Sequence, residues 1–187
     1  MSNGVATTAA STWRFKLGGL RWVPLGLLII LLDQATKAVI ESRFELFDVK
    51  PILPFLEFTL LYNTGAAFSF LAGASGWQRW FFIGLGVIVS IVILYWLWRI
   101  EPGKQRMLAA GFALILGGAL GNVIDRIWHG HVIDFIHFHW RQWEFPAFNV
   151  ADSAISVGVV CLIIHFAFER KETALPASDS PPTSLSS

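Results

Sequence analysis

Cysteine is almost missing. Cys161 is the only one in 187 residues and sits inside an apolar run, so no internal disulfide staples this chain and cysteine usage says little about compartment. Charge is scarce too: 14% of residues are Asp, Glu, Lys or Arg, and a net charge of +1 gives no reason to expect a nucleic-acid partner. Two hydrolase signatures are also lacking, the HEXXH helix pattern of zinc proteases and the G-x-S-x-G elbow of serine hydrolases. There is no internal repeat. No small-residue cleavage site follows Leu32, so the basic residues Arg14, Lys16 and Arg21 are expected to precede a retained span and not a removable leader.

Apolar residues fill the space left by charge. They make up 55% of the chain, with sixteen Phe and nine Trp, and the mean hydropathy is +0.58. That composition excludes an ordinary soluble domain and predicts an integral membrane protein. Four spans are expected, at about 22–40, 81–98, 107–124 and 150–168, each able to cross most of a hydrocarbon core of roughly 30 Å. The first carries Asp33 and Lys37. Four residues apart, they share a helix face and are expected to form a structural pair that lowers the cost of charge within the membrane.

An even number of spans puts both termini on one side. Lys and Arg at the N-terminus, at Arg99, Lys104 and Arg106, and at Arg170 and Lys171 make that side cytoplasmic by the positive-inside rule, against Arg43, Lys50, Arg79, Arg126 and Arg141 opposite. Two long extracytoplasmic connections follow, 41–76 and 125–149. The first contains "FELFDVKPILPFLEFTLLYN", whose short-period alternation around two prolines predicts a small hairpin or cradle. Trp77 and Trp80 at one end of the second span, and Tyr95, Trp96 and Trp98 at the other, are expected as interfacial anchors. Gly117 and Gly121 have the small-xxx-small spacing that admits a neighbouring helix. Residues 13–172 form the expected membrane domain, between Ser-, Thr-, Ala- and Pro-rich tails at 1–12 and 173–187 that are expected to be disordered.

Acids gather where the extracytoplasmic ends of the spans meet the loops: Asp125, Asp134 and Asp152. Asp125 precedes Arg126 and reads first as half of a structural ion pair at a helix end. Asp134, in "VIDFIHF", has apolar neighbours that oppose ionisation. Asp152, in "FNVADSAISVGVV", reads either as part of a helix cap with Asn149 or as a partner for Asp134 across a folded-back loop. Two carboxyls in one site do not both ionise readily, so one keeps a proton while the other draws a proton from water, the chemistry of an aspartic protease. Asn122, Arg126 and Asn149 supply donors nearby. His129, His131, His137 and His139 form HxH pairs, a weak metal signal that reads better as interfacial or sheet histidine. Ser153 does not face Asp152 along a helix and makes a poor nucleophile candidate.

"DQATK" (33–37), "YNTGAAFSF" (62–70), "GGALGNVIDR" (117–126), "GHVIDF" (130–135) and "FNVADSAISVG" (148–158) resemble, in order and spacing, the motifs of the lipoprotein signal peptidase family, signal peptidase II. The resemblance covers about 22–168. It implies an all-α membrane protein of four transmembrane helices with a small extracytoplasmic β-cradle, an aspartyl endopeptidase of the bacterial cytoplasmic (inner) membrane that uses no cofactor or metal. It implies a catalytic pair at Asp134 and Asp152, substrate-binding or supporting roles for Asn63, Gly65, Asn122, Asp125, Arg126, Asn149 and Ala151, a diacylglyceryl-prolipoprotein substrate amid membrane lipids, and inhibition by globomycin. A small ion-coupled transporter or scaffold built on Asp33, Asp125 and Asp134 is the competing class. A metalloprotease built on the histidines is a third.

Overall fold

The computed structural model describes residues 18–65, 76–101 and 105–174. Arg14, Lys16, Lys104, the "AAFSF" part of the second motif and nearly all of both tails lie outside the described residues, as do the side chains of Arg170 and Lys171. A 3-10 turn, Gly18–Trp22, leads into α1 (Val23–Glu41), where Pro24 occupies the first turn and so removes no helical hydrogen bond. Then come β1 (Val49–Leu53), β2 (Leu56–Asn63), α2 (Trp77–Arg99), α3 (Arg106–Trp128), β3 (Val132–Trp140), β4 (Trp143–Glu144) and α4 (Val150–Ala174). Among the described residues four helices are long and apolar enough to cross a membrane, and a small antiparallel sheet accompanies them.

α3 is the central helix, packing against α1, α2 and α4. It is also the most buried, as a helix with three neighbours must be. The other three helices leave Leu31, Ile88, Ile91 and Ile163 among their exposed side chains, the outward apolar surface of helices that face lipid. Trp77, Trp80, Tyr95, Trp96 and Trp98 are exposed at the two ends of α2, where the anchors are expected. The Gly117 and Gly121 spacing serves α1: a Cβ on Gly117 would lie 2.5 Å from the Gly26 carbonyl oxygen, and one on Gly121 would lie 2.8 Å from Asp33 Oδ2. Small residues here set the approach that brings the α1 charges against α3.

The sheet order is β1-β2-β3-β4, antiparallel throughout. The hairpin expected from the alternating segment is β1–β2, with Pro51 on the edge strand, where its missing N–H is tolerated. The second connection has structure of its own: α3 continues through Asp125 and Arg126 to Trp128, and 132–140 is a strand joined to β2. Pairing with β2, a tertiary event, makes β3 a strand. On β3 the period-2 alternation sends Ile133 and Phe135 into a small core with Ile40 and Leu60, and turns Asp134, opposite Leu61, to the other face.

Candidate active site

The other face of the sheet and the adjoining ends of α3 and α4 enclose a cleft of about 1160 Å³, whose walls include Leu61, Asn63, Asn122, Arg126, Asp134 and Asp152. β3 carries Asp134 and α4 carries Asp152, so the fold turns the two acids into one space.

Asp152 sits in the third position of α4, and there the cap forms. Asn149 Oδ1 accepts the backbone N–H of Asp152 at 2.9 Å, and Asp152 Oδ2 accepts the backbone N–H of Asn149 at 3.4 Å, the reciprocal bonds of a capping box. The other Asp152 oxygen, Oδ1, accepts from Asn122 Nδ2 at 2.8 Å. Asp134 is held in the same manner: Oδ1 accepts from Asn149 Nδ2 at 2.8 Å and Oδ2 from Asn63 Nδ2 at 3.0 Å. Asn149, fully buried, therefore touches both acids, one through its side-chain amide and the other through the cap. Cap and carboxylate pair are compatible uses of Asp152, because a carboxylate has two oxygens to share.

Among the described residues neither acid has a Lys or Arg in salt-bridge contact. Burial, and then the neighbouring Asp152 carboxylate, raise the Asp134 carboxyl from its ordinary 3.8 to about 7, while Asn63, Asn149 and the more distant charge of Lys37 pull the other way. Near neutral pH the Asp134 carboxyl is therefore divided between its protonated and ionised forms.

The acids of α1 and α3 are treated differently. Lys37, Asp33 and Asp125 are all nearly inaccessible, and Lys37 Nζ lies 2.6 Å from Asp33 Oδ2 and 2.7 Å from Asp125 Oδ2. The pair expected along α1 is formed, with a second carboxylate added. The ion pair expected between Asp125 and Arg126 is not: adjacent helix residues point in different directions, and Asp125 instead takes Lys37, Gln34 Nε2 at 2.7 Å and the backbone N–H of Ile133 at 3.2 Å. Asp33 also accepts the N–H of Ala151 at 2.9 Å, tying α1 to the start of α4.

Arg126 turns to the loop after β2. Its guanidinium donates to the Gly65 carbonyl at 2.8 Å and the Asn122 carbonyl at 3.1 Å, and lies over the Phe82 ring. Gly65 in turn donates its N–H to Asn63 Oδ1 at 2.9 Å, so Arg126 and Gly65 brace the amide that holds Asp134. Ala151 does not line the cleft: it is fully buried, its N–H on Asp33. Ser153 donates its hydroxyl to the Asn149 carbonyl at 2.9 Å. Of the histidines, His137 meets Glu57 at 2.7 Å and His139 meets it at 3.6 Å, side chains of facing strands. No group of three or more His, Cys, Asp or Glu suited to a metal occurs among the described residues. Sequence reasoning missed Gln34 and the reach of Lys37 to Asp125 and Asn122, and the only signal for either was a polar pair placed within an apolar span.

Residues 25–168 match the family model described as signal peptidase (SPase) II. The chain belongs to the signal peptidase II family. Membership makes it an aspartic-type peptidase. Among curated relatives named lipoprotein signal peptidase, that of Acinetobacter baylyi is 49% identical over 160 residues, 86% of this chain and 89% of its own length. That of Pseudomonas fluorescens is 50% identical over 166 residues, 88% and 96% of the two chains. That of Yersinia enterocolitica is 46% identical over 158 residues, 84% and 93%. A solved bacterial membrane enzyme, determined by the in meso method at 2.3 Å, superposes with a TM-score of 0.72 at 30% identity, covering 87% of this chain and 94% of its own. A second such structure, at 1.9 Å, gives a TM-score of 0.68 at 31% identity, covering 78% and 92%. The four membrane-length helices and the small sheet thus belong to a fold that solved bacterial membrane enzymes share.

Proposed function

We propose that this peptidase cleaves diacylglyceryl-modified prolipoproteins on the N-terminal side of the lipid-bearing cysteine, with Asp134 and Asp152 as its catalytic dyad. Removal of signal peptides from prolipoproteins in the bacterial inner membrane is the activity that family membership supports. The observation that carries the dyad is the cleft itself: its Asp134 and Asp152 are held by neutral amides and, among the described residues, by no cation, which leaves them free to trade a proton.

In this reading a water between the carboxyls attacks the scissile carbonyl. The ionised carboxyl takes its proton while the protonated partner polarises the carbonyl oxygen. As the tetrahedral intermediate collapses, the C–N bond breaks and the departing cysteine nitrogen takes its proton from the carboxyl that polarised the carbonyl. Asn63, Asn122 and Asn149 fix the carboxyl oxygens during these transfers, and Arg126 and Gly65 brace Asn63. The site lies near the extracytoplasmic face with both termini cytoplasmic. Cleavage there leaves the acyl chains in the bilayer, so no lipid need be extracted. Globomycin is expected to compete for the same cleft.

The test is cleavage of a diacylglyceryl-modified precursor peptide by the purified full-length protein, with and without globomycin. Asp134→Asn and Asp152→Asn are each expected to lower kcat about 10³-fold while remaining monodisperse and folded. Substantial turnover by either variant would remove that residue from the dyad.

A further inference from the structure

Lys37 makes a third contact that its pairing with two carboxylates does not require. Its ammonium donates to Asn122 Oδ1 at 3.3 Å, and the other end of the same amide, Nδ2, donates to Asp152 Oδ1 at 2.8 Å. Asn122 Oδ1 also accepts from Asn149 Nδ2 at 3.3 Å, and Asn149 Nδ2 donates to Asp134 Oδ1 at 2.8 Å. The carboxyls are therefore bridged by two amides in series, and the chain of bonds ends on a buried cation.

An asparagine amide has two nearly isosteric orientations. Flipped, Asn122 would aim its oxygen at the Asp152 carboxylate and its NH2 at the Lys37 ammonium, two repulsive contacts among buried groups. An ammonium offers donors only, so its presence at Oδ1 selects the orientation that gives Asp152 a donor. We infer that Lys37 is a positioning residue for catalysis, setting the Asn122 amide so that it holds Asp152 in reactive geometry, in addition to pairing with Asp33 and Asp125. The inference rests on the dyad reading above. The charged groups around this chain of bonds are Asp33 on α1, Asp125 and Arg126 on α3, Asp134 on β3 and Asp152 on α4.

Replacing Lys37 alone would strand two buried carboxylates, so the test is made in an Asp33→Asn background, which leaves Asp125, still held by Gln34 and the Ile133 N–H, as the one carboxylate that loses its cation. In that background Lys37→Met, Asn122→Ala and their combination form a double-mutant cycle read by kcat and KM on the lipidated peptide, with melting temperature as the check on folding. Lys37→Met is expected to lower kcat roughly 10- to 100-fold with KM within about threefold. Once Asn122 is replaced by Ala, the same change is expected to have no further effect on kcat. Lys37→Gln, which restores a neutral donor, is expected to recover most of the lost kcat. Both Lys37 variants lack a charge that favours ionised Asp134, so both are expected to move the acid limb of the rate profile to higher pH by about half a unit to one unit.

Additive losses of kcat in the cycle, or equal kcat for Met and Gln, would overturn the inference. If Lys37→Met does not survive purification, Lys37→Gln takes its place in the cycle, with a loss of about threefold expected and the same rule of additivity. Asp134→Asn and Asp152→Asn are assayed alongside. If they are inactive and the cycle is additive, only the positioning role fails; if they cleave, the dyad reading fails first.

Discussion

Two groups of acids lie side by side in this molecule. Asp33 and Asp125 are closed around Lys37, out of contact with solvent, with the Ala151 N–H and Gln34 on their other oxygens and the Ile133 N–H sharing Asp125 Oδ2 with Lys37. Asp134 and Asp152 line an open cleft and receive amides and a helix cap but, among the described residues, no cation. Carboxylates closed around a buried ammonium join elements of the fold, whereas carboxyls offered only neutral donors are left open to the cleft. The partner set, more than burial, separates the acids that tie the helices together from the two proposed as the dyad.

Breaking each group should therefore fail in a different way. The largest effect is on rate: Asp134→Asn or Asp152→Asn is expected to lower kcat about 10³-fold while the melting temperature stays level or rises, because each removes a like charge from a buried pair. Activity and melting measured on the same preparation check this. Lys37→Met alone should reverse the pattern, costing about 3–5 kcal/mol of stability by leaving two buried carboxylates without their cation, a loss that thermal unfolding in detergent would register directly.

The third prediction concerns pH. Asp134 ionises near 3.8 in the unfolded chain and at about 7 in the folded one, so between these values the folded state binds the extra proton. Stability from this group is greatest below the lower value and falls as pH rises to the upper one, the reverse of a salt-bridged aspartate. The melting temperatures of the protein and of Asp134→Asn are expected to converge near pH 4 and to differ most near pH 8, with the variant higher. Asp152→Asn should lower the Asp134 ionisation toward the ordinary range, though not fully, since burial is the larger cause; carboxyl infrared bands or carbon NMR would follow it. The smallest effect is expected at Glu57→Gln. Its bonds to His137 and His139 are partly solvated, and their loss should change stability by less than about 1 kcal/mol and leave kcat nearly unchanged.

The membrane class and the hairpin were legible in the sequence because they depend on local features: apolar runs long enough to cross a bilayer, and alternation around Pro51 and Pro54. The contact between Asp33 and Lys37 was legible for the same reason, since four residues along a helix fix a shared face. In sequence the nearest cation to Asp125 is its neighbour Arg126, whereas in the fold it turns to Lys37, which the glycine-lined approach of α1 to α3 brings within 2.7 Å. The strand at 132–140 is not marked in its own stretch of sequence, because its hydrogen-bond partners lie in β2, some seventy residues earlier by chain number.

By itself the sequence determined which segments enter the membrane, which short-range pairs form along a helix, and which five motifs mark the family, because hydrophobicity, helical spacing and motif order are properties of the chain read in line. Only the tertiary structure decided which acid meets a cation and which meets an amide. Asp152 has the same neighbours in sequence whether it caps a helix or faces a second carboxyl. It does the first with Oδ2 while Oδ1 takes the Asn122 amide in the cleft that Asp134 also lines, because β3 and α4 arrive at the same place from different parts of the chain.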